Sequence, residues 1–156
     1  MLRFWRFLAI LLAALGLSFG AAHVLELAPK MEYDPRLYMA VTSTLYRYFG
    51  LVGGVVQLSA IVAAAALTFK LRGRESFGPS LLGALALVMS LVLWAALVAP
   101  VNAEWARALA SGSAAATEAY ATLRARWEYG HVAAFLAWLV GFGLLLLGVV
   151  RDTAGE

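Results

Sequence analysis

Residues 81–99 read LLGALALVMSLVLWAALVA, nineteen positions without a charge. A helix that crosses a hydrocarbon core of ~30 Å needs about 20 such residues. Working outward, the same reading applies to three more runs. They lie at about 48–69 and 131–150 on either side, and at about 4–27 near the N-terminus. A bilayer admits only segments that satisfy their own backbone hydrogen bonds, and these runs are too long and too rich in Leu and Ala for barrel strands. The expectation is an all-α, integral membrane four-helix up-down bundle. It forms a single transmembrane domain over 1–156, with short extra helical pieces on one side.

Composition agrees. Hydrophobic residues make up 63% of the chain and charged residues 13%, about half the ~25% of a soluble domain. Mean hydropathy is +0.84 and the pI is near 9.5. The net charge of +3 comes from arginines scattered between apolar runs. They form no basic stripe, so nucleic acid is set aside, and they read as topology and headgroup residues facing the lipid bilayer. Cysteine is absent, which excludes disulfides, thiolate metal sites and thiol redox chemistry. The start, MLRFWRFLAILLAALGLSFGAAHV, imitates a signal peptide. Its apolar run continues through Val24, Leu25 and Leu27, so it reads as a signal anchor and first span. Arg3, Arg6, Lys70, Arg72, Arg74 and Arg151 hug one side in short segments, against an equal number (Lys30, Arg36, Arg47, Arg107, Arg124 and Arg126) spread over the longer segments of the other. The positive-inside rule then puts both termini in the cytoplasm of a multi-pass cell-membrane protein.

The outer side is the elaborate one. Asp34-Pro35 reads as an N-cap with proline at the first helical position. A helix running from there to Leu71 exceeds the bilayer and is expected to stand above it or bend at Gly50, Gly53 and Gly54. Ser111-Gly112-Ser113 marks a break between helical pieces. Tyr120, Leu123, Trp127 and His131 recur at helical spacing, so the fourth span is the lower part of a longer helix. Proline follows two outer exits, at Ala28-Pro29 and Ala99-Pro100.

The only two histidines, His23 and His131, lie near the same outer edge, and an ionisable group at membrane depth is a functional hypothesis by default. Glu26 shares a face with His23 and is expected to orient its imidazole, or else both are interfacial. Gly16 and Gly20 continue that face and invite a close helix. Arg124 and Glu128 are spaced to pair on the last helix. Asn102 either caps the piece after Pro100, the favoured role, or turns its amide into the site. Gly50 and Gly54 read as a packing pair, and Gln57 as a deep polar group bonded across helices. Tyr46 and Arg47 share the histidines' depth. Arg47 serves an anion or a quinone-like carbonyl, or simply snorkels. Trp105, Trp127 and Trp138 supply an aromatic slot, with Trp127 alone reading as membrane belt.

Three motifs carry a resemblance: His23-x-x-Glu26, Pro100-x-Asn102, and Arg126-Trp127-Glu128-Tyr129-x-His131. Together with the surrounding segment 22–53 they resemble the anthrone oxygenase-like family of small integral membrane proteins. The resemblance implies a four-helix membrane bundle. In the family's fungal branch it implies oxygenation of a reduced tricyclic aromatic to a quinone. It falls on His23, Glu26, Asn102, Trp127 and His131. Where fungal members carry an arginine after the tryptophan motif, this chain has Phe135 and Trp138.

The leading functional expectation is therefore an oxidoreductase or oxygenase acting on an apolar aromatic, quinone-like molecule at the outer face. His131, His23 and Glu26 are its catalytic candidates. Asn102, Trp105, Trp127, Arg47, Trp138 and Tyr46 are its substrate-binding candidates. The alternatives are a non-catalytic membrane subunit or small-ligand binder, and a carrier of b-type haem with His23 and His131 as axial ligands. No other metal site is expected. An oligomer or a larger membrane complex is compatible with each.

Overall fold

The computed structural model describes residues 1–153, and every regular element among them is a helix. In chain order these are α1 (Leu2–Glu32), α2 (Pro35–Leu45), α3 (Arg47–Lys70), α4 (Phe77–Leu97), α5 (Ala99–Ser111) and α6 (Ser113–Thr153). Four described stretches are long and apolar enough to cross a membrane: α1, α3, α4 continued into α5, and α6. Leu25, Leu51, Val55, Val62 and Val140 stand exposed on their outer faces. Water tolerates such surface only in small patches, whereas lipid chains match it. The chain is a multi-pass, all-α membrane protein in contact with the bilayer.

Close approach holds the helices together. Trp138 packs where a side chain at Gly16 would stand, and Phe135 does the same at Gly20, so α6 lies tightly on α1. The Trp138 indole donates to the Ala13 carbonyl at 2.8 Å. Between α4 and α6, a Cβ at Gly83 would lie 3.0 Å from the Gly141 carbonyl. A middle core of Ala13, Ala60, Ala64, Leu87, Trp138 and Leu145 joins α1, α3, α4 and α6. Below it, Ala9, Ala63, Leu67 and Leu71 close the end where α1 begins and α3 finishes. Two deep polar side chains bond within the bundle: Ser90 donates to the Ala134 carbonyl and Gln57 donates to Ser90, as hydrocarbon surroundings favour. Gln57 thus bonds across helices as expected.

The upper end departs from expectation in informative ways. Pro29 does not terminate α1, which runs on to Glu32. The Arg124 guanidinium donates to the carbonyls of Met31 and Tyr33, at 3.1 and 2.9 Å, and supplies the partners that a helix end lacks. Arg124 therefore caps α1 and does not pair with Glu128. Asp34 does cap α2, accepting from the backbone N–H groups of Arg36 and Leu37. The chain then turns at Tyr46, with φ −84 and ψ 0, and not at the glycines one to two turns later. Gly112, at φ 116, separates α5 from α6 in a conformation that favours glycine. As expected, α6 is a single helix of 41 residues, about 60 Å long at 1.5 Å per residue. It extends well beyond the expected span of 131–150.

Candidate functional site

Three elements converge just below the upper end. On α1, His23 is buried. Tyr46, at the α2–α3 turn, lays its ring on His23 with centroids 4.8 Å apart and planes at 21°. On α6, His131 stacks on the other side, at 4.0 Å and 24°. The Trp127 indole closes the stack from above, 5.1 Å from His23 and 4.2 Å from His131. The depth argument that paired the two histidines is borne out as ring contact.

The protonation pattern follows from the partners. His131 Nδ1 lies 2.9 Å from the Trp127 carbonyl. A carbonyl only accepts, so Nδ1 carries the hydrogen and leaves Nε2 free for a ligand. His23 Nδ1 is buried without a hydrogen-bond partner. The Trp127 Nε1–H donates to Asn102 Oδ1 at 2.8 Å. That bond fixes the flip of the carboxamide and leaves its NH₂ group as a donor. Asn102 does not cap α5 through its side chain, so the favoured capping role is replaced by the alternative, an amide held at the site. Trp105 donates to the Ala119 carbonyl and stacks on Tyr120 at 4.1 Å and 8°.

Beneath and beside this cluster lies a cavity of 590 Å³, within the ~300–1,000 Å³ typical of small-molecule pockets. His23, His131, Asn102, Tyr46, Arg47 and the tryptophans 105, 127 and 138 all line it. Gly50 and Gly54 line it too, and a Cβ at either would meet nothing within 4 Å. They form a cavity wall, so the reading of them as a packing pair is corrected.

Glu26 is the sequence candidate that the site does not gather. It is absent from the cavity wall, its side chain is 46% exposed, and its carboxylate lies 3.9 Å from Lys30 Nζ. A buried ammonium one turn further along the same helix face is a stronger attractor for a carboxylate than a neutral ring. Lys30 itself was given no role at the site by the sequence. It is 2% exposed and makes a 2.9 Å ion pair with Glu128. Its ammonium also sits 4.7 Å from the Tyr46 ring and 5.1 Å from the Trp127 ring, both electron-rich faces. Tyr38 of α2, equally unforeseen, donates to Glu128 at 3.0 Å. Burial, and then the Glu128 charge, push its hydroxyl above the ordinary tyrosine range, so it stays a donor. The one sequence signal for Lys30 was its place on the face of His23 and Glu26.

A b-type haem does not fit between the histidines. Imidazole lone pairs lie in the ring planes, and axial ligation needs two rings pointing at one iron across about 4 Å, twice a metal–imidazole bond. Here the rings are stacked face to face at 4.0 Å, which leaves no room for a porphyrin. Among the described residues no group of three His, Asp or Glu gathers as a metal site.

No family model, curated protein or solved structure matches this chain.

Proposed function

We propose that the chain is a cell-membrane oxidoreductase that oxygenates an apolar aromatic molecule of the anthrone–quinone type, as its resemblance to anthrone oxygenase-like proteins implies. One observation carries the reading. A largely apolar cavity of 590 Å³, lined by residues of all four span-capable helices, exposes a stacked imidazole pair and a free carboxamide donor on its wall. The imidazole of His131 is the general base that removes a proton from the activated ring C–H, and His23 supports it through the stack. The Asn102 NH₂ donates to the oxyanion that develops on the ring carbonyl. The electron-rich anion then reduces dioxygen. In sum, anthrone and one O₂ give anthraquinone and one water. Trp105, Trp127, Trp138 and Tyr46 hold the rings, and Arg47 stands at the rim. Both termini lie in the cytoplasm and the cavity lies toward the outer leaflet, a placement supported by the arginines and lysines massed beside the termini.

The test uses purified protein in lipid nanodiscs given anthrone, with oxygen uptake and anthraquinone measured together. His131→Ala is expected to lower turnover by about a hundredfold or more, the usual worth of a general base. Equal turnover by the variant, or none by the parent protein, sinks the assignment. A second reading, a binder without turnover, is favoured by the Lys30–Glu128–Tyr38 network, which ties α1, α2 and α6 together behind the cavity wall. Saturable binding with no oxygen uptake selects it.

A further inference from the structure

The upper half of α3 is unlike the rest of the bundle. From Arg47 to Ser59 no residue is buried, whereas Ala60, Ala63, Ala64 and Leu67 below are packed. The helix is pinned at its foot by small side chains and at its head by the Tyr46 turn. Between those points its inward face carries Gly50, Gly53, Gly54 and Gln57 along the cavity. Three of these four positions offer only backbone. Across the gap, α4 contributes Leu91 and Trp94 to the same cavity. The outward neighbours Leu51 and Val55 on α3, and Val88 and Val92 on α4, are exposed and apolar. The rim between α3 and α4 therefore faces hydrocarbon and not water. At 1.5 Å per residue, Gly54 lies about 10 Å below the start of α3, at bilayer depth.

Bare backbone on one wall is a shape filter. Side chains would fill the space or interrupt it, and a helix stripped of Cβ atoms presents a smooth face to a rigid, planar ring system. An independent feature points to a ligand in the same cavity: His23, 6% exposed, contributes to its wall and has an unpartnered Nδ1. Resting on the reading above, we propose that the gap between α3 and α4 is a lateral portal from the bilayer, and that Gly50 and Gly54 are its specificity-determining residues. They admit flat polycyclic ligands, which lie along α3 with a polar edge toward His23 and His131.

The experiment measures quenching of tryptophan fluorescence by benzoquinone, naphthoquinone, anthraquinone and a tert-butyl anthraquinone in phosphatidylcholine nanodiscs. Trp94, Trp105, Trp127 and Trp138 all line the cavity and report occupancy. The parent protein is expected to bind the flat two- and three-ring quinones saturably, and the tert-butyl compound about tenfold more weakly, as an overfilled site does. Gly50→Leu and Gly54→Leu are expected to weaken anthraquinone by about tenfold or more, and naphthoquinone by no more than about threefold. Both substitutions point into open space, so unfolding midpoints should match the parent. Gly16→Leu, which collides with Trp138, marks what a packing defect looks like. If the parent binds the quinones but the leucine variants bind anthraquinone unchanged, the portal is overturned and the functional reading survives. Equal affinity for the tert-butyl compound overturns the shape filter without recourse to a variant. Absence of any quenching in the parent overturns both.

Discussion

At the scale of single residues, Lys30 is a buried cation that joins α1 to α6. Removing an ammonium from water costs several kcal/mol, offset here by Glu128 at 2.9 Å and two aromatic faces. Lys30→Met leaves the Glu128 carboxylate buried and uncompensated. It is expected to destabilise the protein by about 3–5 kcal/mol. Adding Glu128→Leu should restore much of that loss, because an apolar pair of similar volume has no charge to desolvate. Unfolding in mixed micelles measures the cycle, and a double variant no more stable than Lys30→Met contradicts the account. Sequence reasoning passed over Lys30 for a physical reason. Local spacing pairs neighbours on one helix, and the partner of Lys30 lies on the last helix of the chain. The same limit produced the Arg124–Glu128 pair, allowed by spacing but dissolved when each found a better partner on α1.

At the scale of elements, α2 is docked through Tyr38, which is fully buried and bonded to Glu128. Tyrosine acquires charge by losing its proton, and burial beside a carboxylate disfavours that charge in the folded chain. The unfolded chain ionises first as pH passes about 10. Tyr38 therefore contributes its full stabilisation below that pH. Above it, stability falls by about 1.4 kcal/mol per pH unit until the folded-state value is reached. Tyr38→Phe is expected to shallow this alkaline loss, although it costs a hydrogen bond at neutral pH. Unfolding midpoints collected from pH 8 to pH 11 compare the two, and parallel curves for parent and variant would falsify the proposed docking. The ends of α2 show what local sequence encodes. Asp34-Pro35 announced the start because a cap is a contact within one turn. The turn at Tyr46 was missed because its cause is tertiary: the ring is held against His23 and below Lys30. Pro29 sits inside α1, whose end is instead met by the Arg124 guanidinium from α6.

At the scale of the whole molecule, the bundle was legible because hydropathy over about 20 residues needs no knowledge of packing. The shared depth of His23 and His131 was legible too, since helical rise converts sequence position into height. The cavity was not. Whether Gly50 and Gly54 mean contact or vacancy depends on what faces them, and no property of α3 alone decides it. Topology can be tested cleanly because the chain has no cysteine. Single cysteines at Arg72, in the short loop, and Ser113, at the α5–α6 junction, are both exposed. A membrane-impermeant maleimide applied to intact cells is expected to label the Ser113 position at once and the Arg72 position only after lysis. Labelling of both from one side would contradict the proposed arrangement.

The Lys30–Glu128 bridge also dictates an order of assembly. The ribosome delivers α1 first and α6 last. Until α6 arrives, the ammonium at the upper end of α1 has no carboxylate from across the bundle and must remain near water and headgroups. The upper end of α1 can settle to its final depth only when the last helix inserts. The imidazole stack, one face of which belongs to each of these helices, closes in that same final step, so no partly made chain presents the complete site to the membrane.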